Sequence, residues 1–474
     1  MNFISQATRL KSSAFFYLFS LFVIAGCGGQ SNPPANSPLS AGAPAGLEAR
    51  IFVGNTNGTL SVIEHDDAGN TLAEPIDLFS SVGDMASSTK NHIFVNLGST
   101  NQVAALDPVG EEAVLKKFIA VGQRPVHSHR DPEGTRIWIL NDGDSSTGID
   151  TVTSACNTAK AASVSVIQNH GTAGHGADEE EGNAGEVLKT ICVGKGHHRI
   201  AFSAPSETAP SVPLRAFVSN IKDGTITVID NDPGAEASPN PNYLTVIGTI
   251  DLCNPAKETC PPATASGAGP HGMVYSPVSG KIYNNNEAHG TVNVINAAAD
   301  PVSAIEATLD IQFADSVYLT PDGRFVIVRG LDTTAVTGKL TVIDVSNNNP
   351  TTVDLPLINA GALAFTSDGK KLYVGSSGST QRPTQRGNVV LVYDTSALPA
   401  LPTPKEITVG STAAGRSIGL LEHDGEAEFL YVTNRADGTV SVIDAKTDTA
   451  IDTLQVGGTP TSLLVFPMEG DLSH

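Results

Sequence analysis

Six of the twelve histidines in this chain fall in three short stretches of one design and in a turn that follows the last of them. Residues 121–129 read VGQRPVHSH, residues 193–199 read VGKGHHR, residues 266–272 read SGAGPHG, and Glu287-Ala288-His289-Gly290 comes shortly afterwards. These supply His127, His129, His197, His198, His271 and His289. Neutral imidazole is a borderline donor, and three or four imidazoles from neighbouring loops can build the tetrahedral or tetragonal shell that zinc or copper takes. Asp142, with Asp144 in the same Asn-Asp-Gly-Asp run, is placed to complete or orient such a shell. The competing reading is that these histidines only hydrogen-bond turn backbone. A second feature is the stretch 169–185, NHGTAGHGADEEEGNAG, in which His170 and His175 with Asp178, Glu179, Glu180 and Glu181 sit among glycines. It reads as a mobile loop that captures cations loosely, or as a solvated acidic loop. Arg124, Arg199 and Arg416 occur near the same kind of position and would hold an anionic ligand or pair with carboxylates.

Side chains so far apart in sequence need a repeating frame to meet, and the chain has one. Residues 429–460 contain three alternating runs separated by Asp-Gly and Lys-Thr-Asp turns, and a Val-Gly-x-x-Pro connection leads from them into a fourth run. The second run recurs at Ile51, Ile93, Ile137, Ala216, Ile282, Phe325, Leu372 and Leu430, and a matching third run follows each time, as in TITVID and TVNVIN. Uninterrupted units repeat every 42 to 47 residues or about that, the period of four-stranded propeller blades. The expectation is an all-β chain forming a closed β-propeller of eight four-stranded blades, with seven as the alternative count. The first unit lacks an opening strand and the chain ends with a spare one, so the C-terminal strand should complete the first blade and close the ring. Strand direction then sorts the loops. Connections between blades share a face with the turns between second and third strands, which puts all six histidines on one face of three consecutive blades, near the mouth of the central channel. The corresponding positions of other blades carry Asp315, Gly361, Ala414 and Thr461, so the repeat itself does not demand histidine.

Tyr431-Val432-Thr433-Asn434 spells the motif of the YVTN family of β-propeller repeat proteins, which the chain resembles from about Arg50 to Met468. That resemblance implies the propeller and leaves function open, because the family hosts binding, scaffold and enzymatic members. A second resemblance covers 122–203, where Arg124-Pro125-Val126-His127, the Asn-Asp-Gly-Asp turn, the His-rich loop and His197-His198 are similar to periplasmic zinc-chaperone propellers. It implies His127, His197 and His198 as ligands, with the 169–185 loop collecting metal. Those chaperones are soluble, whereas this chain begins like a lipoprotein, so capture or storage near a membrane fits better than delivery to an importer.

That beginning is a basic pair, Arg9 and Lys11, a short apolar run at 14–25, and Ile24-Ala25-Gly26-Cys27. It resembles a bacterial lipobox, which implies a signal peptide over 1–26, acylation of Cys27 and a Pro/Ala/Ser/Gly-rich tether to residue 49. The propeller then occupies 50–468, with a tail at 469–474. Gly28 and Gly29 follow Cys27, with no aspartate at the second mature position, which by the same resemblance favours the outer membrane of a Gram-negative envelope. The four remaining cysteines form an even set, expected to pair as Cys156 with Cys192 and Cys253 with Cys260 outside the cytoplasm. Asp plus Glu exceed Lys plus Arg by 21, which argues against a nucleic-acid partner. The chain has no C-x-x-C-H, G-x-S-x-G or H-E-x-x-H motif, so a haem-binding or other propeller enzyme is the weaker reading. A protein-interaction scaffold at the envelope is the other alternative to a lipid-anchored metal-binding propeller.

Overall fold

The computed structural model describes residues 44–88, 92–143, 162–168, 185–235, 237–260, 266–335, 337–355, 359–376, 386–411 and 414–468. The lipobox, Cys27, Asp144, Cys156 and the histidines and carboxylates of the 169–185 loop before Gly185 lie outside these residues. Among the described residues no helix is long and apolar enough to cross a membrane.

Each second strand is a continuous apolar run because both of its faces are covered. In blade 1, Ile51 and Val53 pack against blade 8 while Phe52 packs against blade 2. All three are fully buried, and burying a side chain of this size stabilises by roughly 1.5–3 kcal/mol. The same alternation runs round the molecule, so the apolar core consists of layers, each shared by two adjacent blades.

The blades are antiparallel sheets whose inner strands line the channel. Eight form, as the repeat count requires. Blade 1 joins Leu47–Asn55, Thr59–Asp66 and the short outer pieces Gly69–Leu72 and Ile76–Asp77 to an inner strand supplied by Pro460–Pro467. Ala49 pairs with Pro467 and Asn55 with Pro460, so the C-terminal strand closes the ring as expected. The blades that matter most for the site have inner strands Val82–Ser87 in blade 2, Pro125–Arg130 in blade 3 and His197–Ser203 in blade 4. Pro270–Ser276, Ala314–Leu319 and Ala360–Phe365 serve blades 5, 6 and 7.

Two repeated devices shape the face where blades connect. Every inner strand slips out of regular register just after its first residue. A bulge of this kind re-aims the side chains that follow it. Asn55, Asn141, Asn220, Asn286 and Asn434, all buried, end second strands. Their amides donate to hydroxyls of the third strand, at 3.0 Å for Ser61, 3.0 Å for Ser165, 2.9 Å for Thr227, 3.1 Å for Thr291 and 2.8 Å for Ser441. A buried amide satisfied in this way fixes the turn that leaves the strand.

On the outer side, second-strand side chains reach forward to the next blade. The Arg50 guanidinium, fully buried, donates to the carbonyls of Pro108, Gly110 and Glu111 and pairs with Glu64 at 2.8 Å. Arg215 donates to the carbonyls of Ala297 and Ala299, Tyr283 to Asn348, and Lys371 and Tyr373 to Asp448. Tyr431 completes the circuit by donating to Asn70 at 2.8 Å. Cys253 and Cys260 are joined within the connection from blade 4 to blade 5, as expected. Cys192 is also disulfide-bonded, and its expected partner Cys156 is beyond the described residues.

Candidate functional site

The connections between blades and the second-to-third turns do share a face, because they hydrogen-bond to each other. The amide of Asp142 donates to the carbonyl of Arg124, that of Lys222 to Lys195, and that of Glu287 to Gly269. Glu287 is thereby docked against the strand that begins at Pro270. His271 follows in the bulge, where Gly272 is required by space: a Cβ there would lie 2.7 Å from Asn285 Oδ1 and 2.8 Å from the amide of Val317. The Gly272 amide donates to Asn285 Oδ1 at 2.6 Å, which pins the bulge.

From this position His271 crosses to blade 6. Its Nδ1 donates to the Asp315 carbonyl at 2.5 Å and lies 3.2 Å from Asp315 Oδ1. Burial disfavours the imidazolium, but the two bonds to Asp315 and the charges of Asp315 and Glu287 outweigh it, raising the His271 pKa. One ligating atom from each of His271, Glu287 and Asp315 lies within 4.8 Å of the others, and this is the group of three among the described residues that could hold a metal ion. Arg329 pairs with the second oxygen of Asp315 at 3.1 Å and donates to the carbonyls of Ala360 and Gly361, tying the cluster to blade 7.

His127 makes the mirror arrangement toward the preceding blade. Its Nδ1 lies 3.2 Å from Asp84 Oδ2, and the Ser128 amide donates to the same oxygen at 3.2 Å. Burial pushes the Asp84 carboxyl up. The His127 hydrogen bond, with the charges of His127, Arg199 and His129, overcomes that and holds it down at about 2. Asp142 behaves oppositely: burial raises its pKa, against the opposing charges of Arg124, Lys222 and His127. His289 is buried and faces Glu258, Nε2 to Oε1 3.3 Å, and Glu258 is carried by the loop that the Cys253–Cys260 disulfide closes.

The candidates named from sequence therefore separate. His271 joins two carboxylates. His127 and Asp142 lie near Asp84 and Arg124, and His289 stands with Glu258. The inner strand of blade 4 begins at His197, while the side chains of His197, His198 and Arg416 are outside what is described. Sequence reasoning missed Asp84, Glu258, Glu287, Asp315 and Arg329 as participants. A signal existed for two of them: aligned strand starts show Asp84 and Asp315 in the blades flanking the histidine blades, and a search limited to imidazoles passes over them.

The channel itself contains a cavity of 400 Å³ between the inner strands of blades 3 to 7. His129, Arg199, Ser316 and Tyr318 contribute polar groups, and Met273, Leu363 and Phe365 contribute apolar wall.

Fold and site together define an eight-bladed β-propeller with a histidine–carboxylate cluster where blades 5 and 6 meet. No described protein family and no curated protein matches the chain. Solved structures do. Apo AztD from Citrobacter koseri is 13% identical, with a TM-score of 0.55 over 90% of this chain and 100% of that one, and a second crystal structure of AztD gives the same values. The dihydro-haem d1 dehydrogenase NirN, in complex with DHE, is 13% identical with a TM-score of 0.55, covering 92% of this chain and 79% of NirN. At this identity the likeness is one of fold.

Proposed function

We propose that the chain is an extracytoplasmic, lipid-anchored propeller that binds a transition metal, zinc or copper, at the channel mouth for capture, storage or delivery. The observation that carries this reading is the convergence of His271, Glu287 and Asp315 donor atoms within 4.8 Å on two adjacent blades. One imidazole and two carboxylates form an N/O donor set suited to zinc, with copper as the runner-up. The His271 Nδ1 bond to the Asp315 carbonyl orients the ring and leaves the other nitrogen to donate once the ring is neutral, while Arg329 orients the Asp315 carboxylate. The bulge, Gly272 and the inter-blade bonds hold these groups before any ion arrives, so little ordering accompanies binding. Binding rather than turnover is the role assigned. His127, His197 and His198 enter through the resemblance to zinc-chaperone propellers, and extracytoplasmic placement through the lipobox and disulfides.

One observation favours a different role for the cluster: His271, Asp315 and Arg329 already compensate one another as an ion-paired brace, as in a scaffold whose histidines are incidental. Metal content measured by mass spectrometry on untagged protein, after dialysis against zinc or copper and then buffer, separates the two. Near one retained ion per chain is expected, lost in His271→Ala with the fold intact. No retained ion, or unchanged content in His271→Ala, overturns the metal reading.

A further inference from the structure

The channel cavity is lined by residues other than the three of the metal cluster. It lies between inner strands of five successive blades and its 400 Å³ is within the range of small-molecule pockets. Its wall is apolar along Met273, Leu319, Leu363 and Phe365. At one side of it stands Arg199, whose guanidinium makes no hydrogen bond or ion pair with any described residue. Asp84 acts on it only through space, and is itself engaged by His127 and the Ser128 amide.

This is unlike four other arginines among the described residues. Arg50, Arg215 and Arg329 are each committed to carbonyls or carboxylates of a neighbouring blade, and Arg124 has Asp142 at 3.7 Å. A partly buried guanidinium beside apolar walls is poorly solvated, so a carboxylate entering the cavity would gain a charge-assisted and bidentate pair there. Ser316 and Tyr318 add hydroxyl groups to the same lining.

We propose that the propeller channel binds a small organic carboxylate with an apolar body, its carboxylate on Arg199 and its body against Met273, Leu363 and Phe365. A single guanidinium amid apolar walls selects a monocarboxylate over phosphate esters or polyanions, which need more positive charge than this lining offers. The site is independent of the metal reading.

The test is calorimetric titration of the purified protein, in chelator and at physiological salt, with 3-phenylpropionate and with its neutral analogue 3-phenylpropionamide. Saturable binding of the carboxylate, at least tenfold tighter than the amide, is expected. Arg199→Gln should erase that preference, Arg199→Lys should retain part of it, and Leu363→Trp, which fills the cavity, should abolish binding of both. Thermal unfolding of each variant checks the fold. Equal affinity for the two probes in the unaltered protein overturns the proposal without recourse to any variant. So does absence of saturable carboxylate binding, or full preference surviving in a folded Arg199→Gln.

Discussion

Replacing Arg50 by methionine keeps an apolar stem like the arginine's own methylenes and removes the guanidinium beyond it. The guanidinium is wholly buried and serves four acceptors: the carbonyls of Pro108, Gly110 and Glu111 in blade 2, and Glu64 in its own blade. Hydrogen bonds to a charged group contribute about 1.5–3 kcal/mol each, but their sum overstates the loss. Glu64 is a quarter exposed and recovers water when its partner goes, as do turn carbonyls once the seam loosens. Breaking a buried ion pair from one side costs about 3–5 kcal/mol, and about 4 kcal/mol is the expected loss here. Equilibrium urea unfolding, followed by fluorescence of Trp138, the chain's only tryptophan, gives the global figure. Hydrogen exchange across Ile93–Leu97 and Gln102–Asp107 locates the damage at the first seam. Arg50→Lys should lose about half as much, because an ammonium cannot span the acceptors that the planar fork reaches. A loss below about 1 kcal/mol in Arg50→Met, or exchange unchanged in blade 2, would refute the idea that this residue locks the seam.

Deleting 460–468 should leave blade 1 without its inner strand and expose a sheet edge, seen as oligomers in light scattering and faster exchange over Leu47–Asn55; a monomer with native exchange there contradicts the closure argument. Replacing Cys253 and Cys260 by serine should cost about 2–3 kcal/mol by loop-closure entropy and raise exchange around His289, whose partner Glu258 the loop carries; unchanged exchange at 286–290 would show the loop is held by other means. The His271 pKa is raised in the fold, so its stabilisation is complete below the unfolded value near ~6.5 and fades as pH rises through the folded one. The stability gap between the unaltered protein and His271→Asn should accordingly narrow from pH 6 to pH 9, while zinc retention should fall as pH drops through the same range because protons compete for the ring. Asp84, held at about 2, should contribute above its unfolded value near ~3.9 and lose that contribution as acid approaches pH 2; an acid unfolding limb unchanged in Asp84→Asn would contradict this.

The architecture could be read from the chain because a blade's second strand must be apolar on both faces, and eight such runs announce eight blades. The spare C-terminal strand followed from an unequal count of first and second strands. The face on which loops gather followed from strand direction alone. What could not be read was the partner each histidine takes. His127 stands two residues past Pro125 and His271 one past Pro270, and the one turns back to Asp84 while the other turns forward to Asp315, partners on strands far off in sequence. Glu258, on the loop that the Cys253–Cys260 disulfide closes, reaches His289 in the second-to-third turn, a contact between positions with no repeat relationship. Arg199 was grouped in sequence with Arg124; only the fold distinguishes the one near a carboxylate from the one facing the channel.

The placement of Leu47–Asn55 has a mechanical meaning. This first strand lies between Pro460–Pro467 on one edge and Thr59–Asp66 on the other, with ladders along both. Tension drawn on the chain ahead of Leu47 is borne in shear by two ladders at once, and by the Arg50 clamp behind them. An outermost terminal strand would instead unzip one bond at a time. The ring therefore resists force applied ahead of Leu47 through both ladders together.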